Sequence, residues 1–337
     1  MSMADRTNEL DESCGTTFSF VRKSLVKSLK NIRKDMRTIF AEFNALSRAQ
    51  KEKDNMVILL DFAAGDSYVL VGIIQTLVEN RVLSNIILIC PQHLAFLGEW
   101  FPGIKKTITI PNFRSSPTLK FFYVILYGVN HLFNLKIIVI DTVIINFVKN
   151  LLKGEQMDFD FYQVAKGILK IENDVPISNP VMPGQATIKR VENMMNDLGL
   201  EKGNTVMLAP NANTAHKMPI SVWELIRDRA LNEGFKVVSN VGPGEEGVPN
   251  TIWISLSLEE SFLAADYCGW IISIRSGFID VLSSSKCRKT IIYVDCPSDR
   301  LFMKSTKHIF GEADEVIFRP NNSPDALLNE IFGPRHT

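Results

Sequence analysis

The sequence predicts an α/β protein of two doubly wound domains facing a cleft, preceded by an amphipathic helical extension. Three observations lead there. The chain has 337 residues, more than one hydrophobic core usually organises, so two domains are the natural division. Short apolar runs of buried-strand type alternate with stretches of helical period, the mark of a parallel sheet covered on both faces. The alternation halts at 176–184, where Pro176, Pro180, Pro183 and Gly184 read as a linker, and then starts again.

The extension covers residues 1–53. Within it, residues 18–46 form one amphipathic helix, because Leu25, Leu29, Ile32, Met36, Ile39, Phe43 and Leu46 follow heptad spacing without Gly or Pro. Its polar side carries Arg22, Lys23, Lys27, Lys30, Arg33, Lys34 and Arg37 against Asp35 alone. Such a face suits three uses: self-association, rest on anionic lipid headgroups, or packing on its own domain with the basic side solvated.

The first domain is assigned to residues 54–180. Strands are predicted at Val57–Leu60, Ile86–Ile89, Thr107–Ile110 and Ile137–Ile140, and a helix follows Ala63-Ala64-Gly65-Asp66 as far as Leu77. The second domain is assigned to residues 181–337. Its strands are Val206–Ala209, Lys236–Ser239, Trp270–Ile274 and Thr290–Val294. Helices are predicted at Ile220–Glu233 and Glu259–Asp266, with another starting at Ile279 and a short one after Ser323.

Composition excludes several functions. With 37 basic and 37 acidic side chains the chain is neutral, against the Lys/Arg surplus that phosphate-backbone binding requires, so no nucleic-acid partner is expected. Five cysteines (Cys14, Cys90, Cys268, Cys287, Cys296) show no C-x-x-C spacing, which disfavours zinc and a disulfide framework. Cys90 and Cys268 sit in apolar surroundings and are expected in the core. The polar opening residues are not a secretory leader, and Phe121–Leu135 is too short to span a bilayer. A cytoplasmic protein, with the inner membrane face as an alternative station, is expected.

Three segments can carry chemistry. Arg275-Ser276-Gly277 follows a strand and opens a helix: free N–H groups, a hydroxyl and a planar guanidinium form a cradle for phosphate or diphosphate. The plainer reading is a tight turn with Ser276 as N-cap and Arg275 paired to a surface acid. Residues 210–219 follow another strand and offer Thr214 and Lys217 to an anion, while His216 is a surface residue with no second ligand at metal spacing. Gly65-Asp66 presents a carboxylate at the first strand-to-helix turn, as a general base or as a helix cap.

Taken in order, these segments resemble the ADP-heptose:lipopolysaccharide heptosyltransferase family of GT-B glycosyltransferases, whose two domains are Rossmann-like. Ile58 through Asp66 is similar to that family's opening strand and Gly-Asp turn, and Phe101-Pro102-Gly103-Ile104 to a later stretch. Pro210 through Lys217-Met218-Pro219 is similar to its Lys-x-Trp-Pro pattern, without the tryptophan. Leu256-Ser257-Leu258-Glu259 resembles the Ser-Leu-Glu that meets the ribose. The likeness is weak over 56–110, firmer over 205–295, and does not reach the first 50 residues. Where the family has Asp-Ser/Thr-Gly-x-x-His, this chain has Arg275-Ser276-Gly277-Phe278-Ile279-Asp280, an element closer to fucosyltransferase-like and capsule-type branches.

The resemblance implies Asp66 as catalytic base, Thr214 and Lys217 on the donor phosphate, Glu259 on the ribose, and Ser276 and Gly277 against the diphosphate; Arg275 and Asp280, which depart from the family's pattern, are expected on the donor as well. It implies no metal and no cofactor. The donor is a nucleotide-diphosphate sugar, and the acceptor is a glycan, a lipid-linked glycan or a protein, in cell-surface polysaccharide or glycoconjugate synthesis. A nucleotide-sugar epimerase and a non-catalytic nucleotide-binding scaffold are the alternatives.

Overall fold

The computed structural model describes residues 56–61, 64–110, 137–141, 161–169, 171, 174–181, 184–212, 216–295 and 313–334. The basic stretch 18–46 and the apolar stretch 121–135 lie outside these. The chain divides into two compact units.

The first unit comprises residues 1–61, 87–92 and 107–147. It holds β1 (Met56–Asp61), nearly all of β2 (Ile86–Pro91), the latter part of β3 (Ile104–Ile110) and β4 (Ile137–Asp141), in the order β3-β2-β1-β4. β1 and β4 run parallel, in register from Val57↔Ile137 to Asp61↔Asp141. β2 is buried along its whole length, Cys90 included, as a continuous Ile/Leu run requires of a strand covered on both faces.

The second unit comprises residues 62–86, 93–106 and 148–337. It contains α1 (Ala64–Glu79), α2 (Phe96–Trp100), α3 (Phe161–Leu169), α4 (Gln185–Asp197) and β5 (Thr205–Ala209). These are followed by α5 (Ile220–Asn232), β6 (Lys236–Asn240), β7 (Ile252–Ile254), α6 (Leu258–Cys268) and β8 (Gly269–Ile274). The chain ends with α7 (Gly277–Val281), β9 (Arg288–Val294), β10 (Asp314–Phe318) and α8 (Pro324–Phe332). The six strands β10-β9-β8-β5-β6-β7 form one sheet in which every pairing is parallel. A core of Val206, Leu208, Trp223, Ile226, Trp270, Ile272, Ile292, Phe318 and Leu328 joins the sheet to α5 and α8.

α1 is buried almost all round, and one of its stripes makes identifiable contacts within this unit. Gly65, Tyr68, Gly72 and Thr76 recur at spacings of 3, 4 and 4, so they share one face. Gly65 lies against Gly277, and Tyr68 Oη lies 2.6 Å from Ser284 Oγ. A Cβ on Gly72 would overlap Ile177, and Thr76 Oγ1 donates to the Pro176 carbonyl at 2.6 Å. The predicted linker therefore has no regular structure over 174–181, yet it is pinned. The Ser178 amide donates to Gly72 O at 3.1 Å and the Val181 amide to Trp100 O at 2.7 Å.

Edge strand β7 is only three residues long and leaves Trp253 half exposed. Its indole N–H donates to Val248 O at 3.0 Å, in the loop that follows β6.

Candidate functional site

Strand order locates the site before any side chain does. From β5 the chain runs outward through β6 and β7. It then returns to β8 on the other side of β5 and runs outward again through β9 and β10. Strand order thus reverses between β5 and β8, the switch point outside whose carboxyl ends open α/β sheets bind ligands. Ala209 at the end of β5 is opposite Ser273 near the end of β8, so residues 210–212 and 275–277 leave the sheet side by side.

Lys217 and His216 are exposed in the first of these loops, which Asn211 ties to the β6–β7 loop through a 3.1 Å bond from its amide to Glu246 O. Thr214 lies outside the described residues. Glu259 is the second residue of α6, entered from the carboxyl end of β7, and is partly exposed. Lys217, Glu259, Arg275, Ser276 and Gly277 accordingly share one edge of the sheet.

Arg275 is partly buried, and its pairing departs from both sequence readings. Its Nη1 lies 3.0 Å from each carboxylate oxygen of Asp280 and donates to Ser276 O at 2.9 Å. Asp280 is itself buried within α7, so the partner is a core acid and not a surface one. Burial alone would lower the guanidinium pKa. The Asp280 charge and hydrogen bond, followed by Tyr293 and Asp66, outweigh it and hold the value above the ordinary one. The pair forms because α7 turns immediately after Gly277 and swings Asp280 back beneath the strand end.

Ser276 occupies the N-cap position of α7 without capping it; its Oγ is buried and has no hydrogen-bond partner among the described residues. α7 has only five residues, Gly277–Val281, so its dipole is weak.

Asp66 is inside the first turn of α1, not at its cap position, and it is partly exposed. The Gly65–Gly277 approach brings this turn to the same edge. A methyl group on Gly65 would overlap the Gly277 carbonyl, come within 2.5 Å of Gly277 Cα and within 2.8 Å of Asp280 Oδ2. Asp66 is near enough for its charge to act on Arg275. The arrangement is one cation among two carboxylates, with an exposed lysine and glutamate along the same edge. Among the described residues no group of three or more His, Cys, Asp or Glu side chains is placed to hold a metal.

Tyr68 and Ser284 were not singled out in the sequence. Only the Gly65/Tyr68/Gly72/Thr76 spacing signals a docked face, and it shows no partner until the fold is known.

In sequence, no family model matches the chain and no curated protein matches it. Solved structures do resemble it. A family 9 glycosyl transferase from Veillonella parvula aligns over 85% of this chain and 91% of its own, with a TM-score of 0.57 at 13% identity. The E. coli ADP-heptose lipopolysaccharide heptosyltransferase II aligns over 82% and 96%, with a TM-score of 0.52 at 11% identity. The E. coli heptosyltransferase WaaC, solved with ADP, aligns over 82% and 98%, with a TM-score of 0.50 at 9% identity. The chain has the fold of these GT-B glycosyltransferases, as the resemblance in its sequence implied.

Proposed function

We propose that the protein is a glycosyltransferase that moves a sugar from a nucleotide-diphosphate sugar to a glycan, lipid-linked glycan or protein acceptor. The reading extends to an inverting, metal-independent reaction in cell-surface polysaccharide or glycoconjugate synthesis. One observation supports it: Lys217, Glu259 and Arg275 each follow the carboxyl end of a strand of the six-stranded sheet, with Asp66 near enough for its charge to act on the arginine. The fold shared with heptosyltransferases supports it as analogy.

In this scheme residues 181–337 bind the donor and residues 54–180 the acceptor. Lys217, Thr214 and the amides at Ser276–Gly277 take the diphosphate, Glu259 the ribose, and Arg275 with Asp280 frames the turn. As the glycosidic bond breaks, negative charge grows on the leaving diphosphate, and fixed cations and N–H dipoles stabilise it. Asp66 accepts the proton of the attacking hydroxyl. The basic face of residues 18–46 holds the enzyme near anionic lipid.

A melting-temperature screen against ADP-, GDP-, UDP- and CDP-sugars tests donor binding. A ligand at one hundred times its dissociation constant adds about 2.7 kcal/mol to stability. Asp66→Asn is expected to keep that shift and lose turnover by at least about a hundredfold; normal turnover removes the base assignment. The Arg275–Asp280 pair favours one second reading, a nucleotide-binding scaffold, because the arginine's charge is already met. Binding without transfer in wild type selects it.

A further inference from the structure

We infer that Tyr68 is a positioning residue: its hydroxyl, bonded to Ser284, latches the first turn of α1 to the α7 turn and so sets Asp66 against Arg275 and Asp280. This deepens the proposed reaction and rests on it for the role of Asp66; the latch itself does not.

Gly65 and Gly277 meet backbone to backbone, so closely that a Cβ on Gly65 would overlap the Gly277 carbonyl. α7 is too short to hold its own orientation, since a helix of five residues has little beyond its nucleating turn. The Arg275 amide is tied to β9, donating to Ile292 O at 2.9 Å, and a contact beyond α7 steadies the other end of the turn. Tyr68 is one turn beyond Gly65 on the same face and is fully buried. Its ring is wedged edge-on by Trp100, at 6.3 Å between centroids, and by Phe101, at 5.5 Å, so the phenol cannot swing away.

The hydroxyl meets Ser284 Oγ at 2.6 Å, three residues past the end of α7. Burial raises the phenol pKa while Ser284 and Ser283 oppose it, so the contact is between neutral hydroxyls at every working pH. Tyr68 thus reaches from α1 to the segment following α7, with Ser284 as its 2.6 Å partner and Ser283 as a second hydroxyl partner.

The test uses the full chain as wild type, Tyr68→Phe, Ser284→Ala and the double variant, with Tyr68→Phe keeping the packed ring. Amide hydrogen exchange is followed over residues 275–284, and turnover is followed with whichever nucleotide sugar raises the wild-type melting temperature. Each single variant is expected to speed exchange over 275–281 about tenfold and to lower kcat about tenfold, with donor KM unchanged. The double variant should be no worse than Tyr68→Phe, because that change already removes the bond to Ser284. Unchanged exchange over 275–281 in Tyr68→Phe overturns the inference. So do losses that multiply to about a hundredfold in the double variant, or a lower melting temperature with kcat intact. A wild type that transfers sugar from none of the four donors defeats the proposed function, and the exchange data then decide the latch alone.

Discussion

Arg275 and Asp280 form a pair in which neither partner is dispensable alone, because removing one leaves the other's charge buried without its main counter-charge. Asp280→Ala is expected to cost about 3–5 kcal/mol, measured by denaturant unfolding, whereas replacing both with apolar residues of similar volume should cost far less. The pair also unites two features that stand apart in the sequence. The resembled family has an acid at the first of these positions and a histidine five residues on; here a base comes first and an acid second. One reversed ion pair replaces two unrelated substitutions. A separation of five residues is not a helical neighbour spacing, so nothing local announced it. Gly65 makes a second prediction at this scale. Gly65→Ala is expected to lose about 1–3 kcal/mol through overpacking against Gly277 and Asp280, read as a lower unfolding midpoint with an unchanged m-value.

Among the elements, those with strong apolar runs or periods were legible: β1, β2, β4, β5, β8 and β9 fall where continuous Ile, Leu and Val demanded strands. The elements that escaped had little apolar signal. α4 buries only Val191 and Met195, one turn apart, on an otherwise polar helix. β7 and β10 are edge strands whose exposed residues break the alternation. α6 shows how firmly some boundaries are written. Ser257 and Glu260 form a reciprocal capping box at its start, and Gly269 closes it at φ 88°, a left-handed conformation that glycine adopts without strain.

The Glu260 carboxylate is held below its ordinary pKa chiefly by the Ser257 amide. Partial burial opposes this, and the Ser257 hydroxyl and Arg190 reinforce it. A depressed folded value gives stability that is present above the unfolded value of 4.5 and is lost as pH falls through the folded one. Glu260→Gln keeps an acceptor in the box without the charge. Its melting temperature should lie below wild type at neutral pH and converge with it as pH falls below 4.5.

At the scale of the molecule, the sheet order explains why the site was only half readable. Arg275-Ser276-Gly277 and Lys217 each follow a recognisable strand, so their place at carboxyl ends could be read directly. That β5 and β8 are neighbours, with β6 and β7 on the far side, depends on crossovers between distant segments that no local pattern encodes. The docking of α1 in the second unit, by the face that carries Tyr68, is equally non-local. Among the described residues no helix is long and apolar enough to cross a membrane. The proposed membrane contact therefore rests on the basic stretch of the sequence. Removing residues 1–50 is expected to abolish sedimentation with vesicles containing anionic lipid, at a salt concentration where the full chain still sediments.

The short β7 edge has an optical consequence. Of the chain's four tryptophans, Trp100, Trp223 and Trp270 are at most 5% exposed, whereas Trp253 is 49% exposed. A collisional quencher such as iodide therefore reaches a single indole. That indole's hydrogen bond to Val248 makes it an intrinsic reporter of the loop next to the β5–β8 switch point, and its emission can follow nucleotide binding without any attached label.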